Sequence, residues 1–379
     1  MEARFLEAGW RLSPFFLPQG AGPFVPRFEA DRERAFHGLF GLFADSLPDA
    51  FGMAVARRGV AQAGCEAGAL ELLSYIGEGG RGCLSYKPSL LEGDAEVEGL
   101  EAMFHEARNV AEGLEIDWAN PLAHAMGTAG GTLPKVHCER FLDGTFCVRR
   151  SPAKAGESVA CIVKFDCTGE FAGRIDHETK IEASFLEMAR DCGLRVPEFE
   201  LVRREGRDHL VLQRFDRTRE GALHTHSFWG LAHASAGSRM HDYEFLHRAV
   251  LRLTGDTQEL TECFGRMAFN TLACNQDDHS KQHAFLFDGT AWKLAPAFDL
   301  TFSPNTTLGH AMPVSGNPSP SHKDLLAFAR KMDVQNGGEI LEQIQTVISS
   351  AKSYLEKNQV PERIASGVVE GIARKRNEL

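Results

Sequence analysis

At 379 residues the chain is long enough for two or more core-bearing lobes, and 43% hydrophobic with 25% charged residues is the balance of an ordinary soluble globular protein. A net charge of −11 disfavours broad nucleic-acid binding by the chain itself, leaving open only a local basic patch or a basic partner. No apolar run approaches the roughly 20 residues that span a bilayer, the start MEARFLEAGW lacks a leader pattern, and nine scattered cysteines without a C-x-x-C pair disfavour zinc ribbons and redox dithiols and point to reduced, buried thiols (Cys161, Cys192, Cys263, Cys274) in the cytoplasm.

From the N-terminus, SPFFLP and FVPRFE are Pro-punctuated apolar pieces read as short strands or loops. FHGLFGLFADSLPDAFG follows, with Phe36, Leu39, Phe40 and Phe43 at helical spacing. ALELLSYIG predicts a helix ending near Gly77, and residues 92–124 are acidic with helical tendency. MGTAGGTLPKVHCERF (126–141) and FCVRR read as strand–loop–strand, and SVACIVKFD (158–166) as an apolar, β-branched strand carrying one lysine. In HETKIEASFLEMARDCG, Ile181, Phe185, Met188 and Cys192 form one face of an amphipathic helix closed by Gly193. FELVRR and HLVLQRFDR (209–217) are strands separated by a turn at EGRD. Beyond about residue 217 helices dominate: DYEFLHRAVLRLTG, then ELTECFGRMAFNTLACNQ with Phe264, Met267, Ala268, Thr271 and Leu272 along one face, and two helical stretches in the tail. HAFLFDGTAWKLAP interrupts them as a hairpin turned at Asp288-Gly289. Repeats and low-complexity tracts are absent from the sequence. The expected class is α+β, a β-rich half with one prominent helix followed by an α-rich half.

Four features carry chemistry. The Gly-rich turn GTAGGT (127–132), with Gly130 and Gly131, lets backbone N–H groups approach phosphate oxygens, yet it matches neither the Walker pattern nor the dinucleotide fingerprint and taken alone reads first as an ordinary turn. Lys164 in CIVKF is either a lysine on the solvent face of an edge strand or an ammonium aimed at phosphates, in which case a carboxylate must steady it. Glu182 is placed to do so, with Glu178 and then Glu187 as competing choices. NQDDHSKQHAFLF (275–287) puts Asp277 just past a helix end and Gln282 five positions on. Asp277 could orient and deprotonate a hydroxyl while Gln282 coordinates magnesium, the division of labour that phosphoryl transfer needs; the plain alternative is a polar helix-to-strand loop. After the hairpin, Asp299 sits between Phe298 and Leu300, either as a cap or as a hard oxygen ligand for magnesium. The order Asp, amide, hairpin, Asp is that of a protein-kinase catalytic loop and metal-binding loop.

FADSLPDAFG, LELLSYIGEGGRGCLSYKP, TAGGTLPK, the strand with Lys164, LQRFDR, NQDDHSKQHAFLF and WKLAPAFDL occur in one order across nearly the whole chain. In that set the chain resembles the HipA-like serine/threonine kinases of bacterial toxin–antitoxin systems. The resemblance implies a bilobal, protein-kinase-like fold: a shortened N-terminal subdomain (1–90), a β-rich lobe with the Gly-rich loop and the nucleotide-binding lysine (91–216), and a helical lobe with the catalytic and metal loops (217–379). It implies ATP and Mg2+, with Asp277 as catalytic base, Asp299 and Gln282 as metal ligands, and Lys164 paired to Glu182. Gln213, Arg214 and Phe215 would form the hinge near adenine, with Gly130, Gly131, His279 and Lys281 also at the nucleotide. Thr128 stands where the family carries an autophosphorylated serine. The implied partners are a small helix-turn-helix antitoxin, through which alone DNA is met, a protein substrate of the aminoacyl-tRNA synthetase class, and in some relatives a separate small N-terminal protein; no membrane is implied. The sequence departs from the family pattern at Gln282, where asparagine is usual.

Two rival readings remain. His279 and His283, at i and i+4 with Asp277 or Asp278, have the spacing of a zinc hydrolase helix, although His283 opens an alternating strand. Gln282 in place of asparagine keeps alive a kinase-shaped regulator that binds nucleotide and a partner without transferring phosphate.

Overall fold

The computed structural model describes residues 36–37, 39, 41–90, 96–112, 121–128, 134–149, 156–169, 176–304 and 308–378. The SPFFLP and FVPRFE pieces, Phe40, and Gly130 and Gly131 of the Gly-rich turn lie outside the described residues. The chain enters through α1 (Gly41–Ala44), α2 (Ala50–Gln62) and α3 (Ala69–Ile76). β1 (Glu96–Glu98), α4 (Leu100–Glu112) and α5 (Pro121–Gly127) precede β2 (Lys135–Phe141), β3 (Phe146–Arg149) and β4 (Ser158–Lys164). Then come α6 (Glu178–Asp191), β5 (Phe199–Arg204), β6 (Arg207–Gln213), and the short pair β7 (Arg217–Thr218) and β8 (Gly221–Ala222). β9 (His224–Ser227), α7 (Phe228–Ala232), α8 (Tyr243–Thr254) and α9 (Thr257–Leu272) lead to β10 (Ala284–Phe287) and β11 (Trp292–Leu294). The chain closes with α10 (His322–Lys331), α11 (Gly337–Ser349), α12 (Ala351–Lys357) and α13 (Glu362–Glu378).

Six strands form one sheet in the order β1-β3-β2-β4-β6-β5, with antiparallel neighbours throughout. Strand side chains alternate between faces, and that alternation sorts this sheet. Val136, Cys138, Cys161, Val163 and Val211 turn to one side and join Met103, Phe104 and Met126 of α4 and α5 in an apolar core. Lys135, His137, Ile162, Lys164 and Leu212 turn to the other side, where they line a cleft. Helix α6 crosses behind that cleft. Its predicted stripe is buried, with Ile181, Phe185 and Met188 at most 1% exposed, and it joins the larger core built by α8, α9 and α11. Phe185 meets Phe269 of α9 edge to face at 6.3 Å, and truncating either ring costs about 3–5 kcal/mol. Polar contacts tie α6 to the C-terminal helices as well: Ser184 donates to the Tyr354 carbonyl at 3.2 Å and Lys180 to that of Gln359 at 3.1 Å.

Helix starts in the α-rich half follow local chemistry. Asp242 and Asp256 accept from the N–H groups of Glu244 and Gln258, and Ser321 with Asp324 forms a reciprocal capping box.

The structure differs from the sequence reading in several elements. Residues 92–124, read as helical, include the edge strand β1; three residues, two of them acidic, carry no strand signal, and pairing with β3 creates it. Met126 and Gly127, read as the start of a strand, end helix α5. The α-rich half holds more strand than the hairpin, because β9 pairs with β10 to make a three-stranded sheet. HTHS is too short and polar to announce itself. Within the described part of the FHGLFGLF stretch, Gly41–Phe43 enter the four-residue α1, packed on α7 so closely that a Cβ at Gly41 would lie 1.9 Å from the Gly230 carbonyl.

Candidate active site

A cleft lies between the sheet and the helical half, closed on a third side by residues 45–49 and Arg81. Its central feature is Lys164. The Lys164 ammonium donates to both oxygens of Glu182, at 2.6 and 2.8 Å, and also pairs with the Asp299 carboxylate. Strand β4 carries the lysine to its end, α6 presents Glu182, and the segment after β11 supplies Asp299. Glu178 opens α6, and Glu187 pairs with Lys357 at 3.0 Å, so neither competing carboxylate is the partner found. Burial alone would lower the Lys164 pKa; Asp299 and Glu182 outweigh it and hold it above the usual lysine range. Burial raises the Glu182 carboxyl against the pull of Lys164, with Asp299 adding repulsion. Burial would raise Asp299 too, but Lys164 and Lys135 hold it well below the usual carboxylate range, so it is ionised. Asp299 has φ of 53°, a left-handed conformation that aspartate tolerates better than most residues.

The loop after α9 is stitched to the segment bearing Asp299. Asn275 bridges Ser303, the Gln276 N–H donates to the Ser303 carbonyl at 3.0 Å, and the Asp277 N–H donates to the Ser303 hydroxyl at 3.0 Å. The two adjacent aspartates have opposite fates. Asp278 is fully buried; Tyr243 donates to it at 2.7 Å and His310 Nδ1 lies 2.9 Å away, which offsets the burial that would raise its pKa and keeps it lowered. Asp277 has a side chain 68% exposed. Crowding by the surrounding protein raises its pKa, opposed by His279 and reinforced by the charges of Asp299 and Asp278. Asp278 therefore anchors the loop, and Asp277 is the carboxylate a substrate can reach.

The other predicted residues distribute unevenly. Gln213, Arg214 and Phe215 line the cleft, with Phe215 against Phe298 at 5.7 Å, and the Arg214 guanidinium is held by Asp216. Lys281 lines the cleft, pairs with Asp49 and lies over the Trp229 ring at 4.2 Å. His279 precedes the 3-10 turn Ser280–Gln282; neither it nor Gln282 is on the cleft wall, nor is Asp277. Thr128 is on the wall, 5% exposed, donating to the Ala125 carbonyl at 3.0 Å with His137 Nδ1 3.3 Å from its oxygen. Asp299 could hold magnesium, which takes one or two carboxylates when phosphate oxygens fill its other positions; Gln282 does not reach the same wall.

The zinc arrangement does not assemble. His283 is buried beside Tyr243, with its pKa pushed down to about 3 by burial, and Asp278 is already engaged. The described residues close enough to share a metal are Glu96, Glu98 and Cys147, which include neither histidine.

Some residues of the cleft escaped the sequence reading. Lys135 stands directly opposite Lys164 in the β2–β4 register, on the same face; its place in TAGGTLPK was the available signal. Burial lowers its pKa, and Asp299 opposes this. Asp45, Asp49 and Arg81 come from the turns between and after the N-terminal helices, and no helical or strand periodicity marks them as cleft residues.

A sheet lysine paired with a glutamate of the helix behind it, set over a helical half that brings two aspartate-bearing loops together, defines a kinase-like, bilobal α+β protein. Residues 127–355 match the HipA-like C-terminal domain, and the chain belongs to that family. Over its whole length it is similar to the HipA of Shewanella oneidensis MR-1, solved with HipB and its operator DNA: TM-score 0.65 and 16% identity, covering 99% of this chain and 89% of that one. Two Sinorhizobium fredii proteins named as candidate kinases are also similar. Y4dM is 31% identical over 134 residues, which is 31% of this chain and 32% of its own, and Y4mE is 29% identical over 141 residues, 34% and 33%. The chain thus spans about a third of the length of the curated relatives it matches. No helix among the described residues is long and apolar enough to cross a membrane.

Proposed function

We propose that this chain is an ATP-dependent protein serine/threonine kinase acting as the toxin of a toxin–antitoxin pair. The observation that carries the reading is the buried Lys164–Glu182 pair joined by the part-buried Asp299, with the Asp277 loop stitched beside it through Ser303. In this reading Lys164 grips nucleotide phosphates, Asp299 holds Mg2+, and Gln213–Phe215 seat the adenine. Asp277 accepts the proton of the attacking hydroxyl; a raised carboxyl pKa makes it a better base for that proton. Magnesium, when bound, neutralises charge on the transferred group. Phosphate accepted by Thr128 would close the enzyme down by displacing the loop it begins. The proposed partners are a helix-turn-helix antitoxin and a protein substrate of the translation machinery such as an aminoacyl-tRNA synthetase, both in the cytoplasm. The test is incubation with ATP and magnesium followed by intact mass. One added phosphate, absent in Asp277→Asn, supports the kinase; no transfer to itself or to any protein in a phosphoproteome refutes it.

A second reading is favoured by one feature, the position of Gln282 off the cleft wall, which leaves Asp299 as the sole predicted metal ligand there. It makes the chain a nucleotide-binding regulator. Tight nucleotide binding with no transfer, unchanged in Gln282→Asn, would support it.

A further inference from the structure

We propose that Arg81 is a phosphate-binding residue of this cleft, reaching the nucleotide's outer phosphates from the segment ahead of the sheet; the inference rests on the nucleotide reading above. Arg81 lines the cleft beside Lys135, Lys164 and Asp299 and is half-buried there. Its guanidinium makes no hydrogen bond or ion pair with any described residue. The carboxylates that line the cleft are engaged elsewhere. Asp45 accepts from the Ser227 N–H and hydroxyl, Asp49 pairs with Lys281, Asp216 with Arg214 and Arg217, and Glu182 and Asp299 with Lys164. A guanidinium left without an acceptor in a half-buried cleft has five N–H donors to satisfy, and its planar fork suits phosphate oxygens. Its position is at the phosphate end, because it shares one wall of the cleft with Lys135 and Lys164, the two lysines that stand opposite each other in the β2–β4 register.

The backbone on both sides of Arg81 is clamped, so the side chain is delivered at low entropic cost. The Gly80 carbonyl accepts from Arg214 and Arg217, each at 3.0 Å, and the Gly82 carbonyl accepts from Arg217 at 2.9 Å. The Gly82 N–H donates to Asp216 at 2.7 Å. Gly82 has φ of 71°, and a Cβ there would come within 3.0 Å of the Thr225 nitrogen, so the turn needs glycine. Arg214 belongs to the stretch proposed to seat adenine. One buried network therefore fixes both ends of the nucleotide, and the N-terminal segment completes the site instead of merely flanking it.

The test measures affinities of the full chain for magnesium with a non-hydrolysable ATP analogue, and for adenosine, by calorimetry. Arg81→Ala should weaken the analogue about 10- to 100-fold, the range of a lost charge-assisted contact, and adenosine less than about twofold. Arg81→Lys, which keeps the charge and loses the fork, should recover part of the loss. Analogue affinity within twofold of the parent overturns the inference and leaves the site intact. An equal loss for both ligands also overturns it, because Arg81 then only shapes the cleft. If the parent binds neither ligand, the nucleotide reading falls and the inference with it.

Discussion

Lys164→Met is the sharpest probe of the buried cluster. Methionine preserves most of the stem's volume and removes the ammonium. It leaves Glu182, which is buried, and Asp299, which is part-buried, both oriented toward the point where that ammonium stood, with Lys135 as the remaining neighbouring cation. Removing one member of a buried ion pair costs about 3–5 kcal/mol, and that is the expected loss at pH 7.5. Glu182→Gln should behave differently. Asp299 still neutralises Lys164, and the carboxyl removed is one whose pKa the site already raises, so a change within about 1 kcal/mol is expected. The pH dependence follows from linkage. In Lys164→Met the buried Glu182 carboxyl, already raised, gains a folded pKa further above its unfolded one near 4, so it favours folding below about pH 4 and loses that contribution as pH rises through the raised value. The gap between variant and parent should therefore narrow from pH 7.5 to pH 5. Urea unfolding of parent and both variants at the two pH values measures it. A Lys164→Met midpoint equal to the parent's at pH 7.5, or a Glu182→Gln loss as large as that of Lys164→Met, would refute the reasoning.

Three further outcomes follow from the same structure. His247 is fully buried, lies 2.8 Å through Nδ1 from the Tyr243 carbonyl, and has its pKa pushed down to about 4 by burial. Its neutral form stabilises the fold above about pH 6.5, and that contribution falls by about 1.4 kcal/mol per pH unit as pH drops from 6.5 toward 4; His247→Gln should reduce the slope of unfolding midpoint against pH by one proton's worth, and an unchanged slope would count against it. Gly41→Ala forces a methyl into the Gly230 carbonyl, where only backbone can yield, and should cost about 1–3 kcal/mol in urea unfolding; a neutral result would mean α1 does not stay on α7. Thr128→Ala should remove self-phosphorylation from the intact mass while leaving transfer to other proteins, and a retained phosphate would assign the acceptor elsewhere.

How much of this was legible in sequence differs element by element. The alternation in SVACIVK sends Cys161 and Val163 to one core and Lys164 to the opposite face, a consequence of strand geometry alone. Ile181, Phe185 and Met188 mark the buried stripe of α6 because helical period is a property of the backbone. Asp242, Asp256 and Ser321 cap their helices through bonds spanning two or three residues. Each of these is local, so the residues and their neighbours in the chain suffice.

The cleft is different. Glu178 and Glu182 lie one turn apart on the same stripe; the sequence reading preferred Glu182 with Glu178 as the competing choice, and the placement of β4 over α6 brings Glu182 to Lys164. Asp277 and Asp278 are chemically identical neighbours, separated in role because Tyr243 and His310 claim one of them. Lys135 meets Lys164 through strand register, and Asp49 meets Lys281 across more than two hundred residues of chain. Arg81 enters through a turn held by Asp216, Arg214 and Arg217, none of them near it in sequence. Such contacts are decided when whole elements pack against one another, and no window of local sequence contains both partners. The chain's own order of residues determined its strands, helix faces, caps and family pattern. Tertiary packing alone chose which charges meet, because that choice depends on distances set by the assembled core.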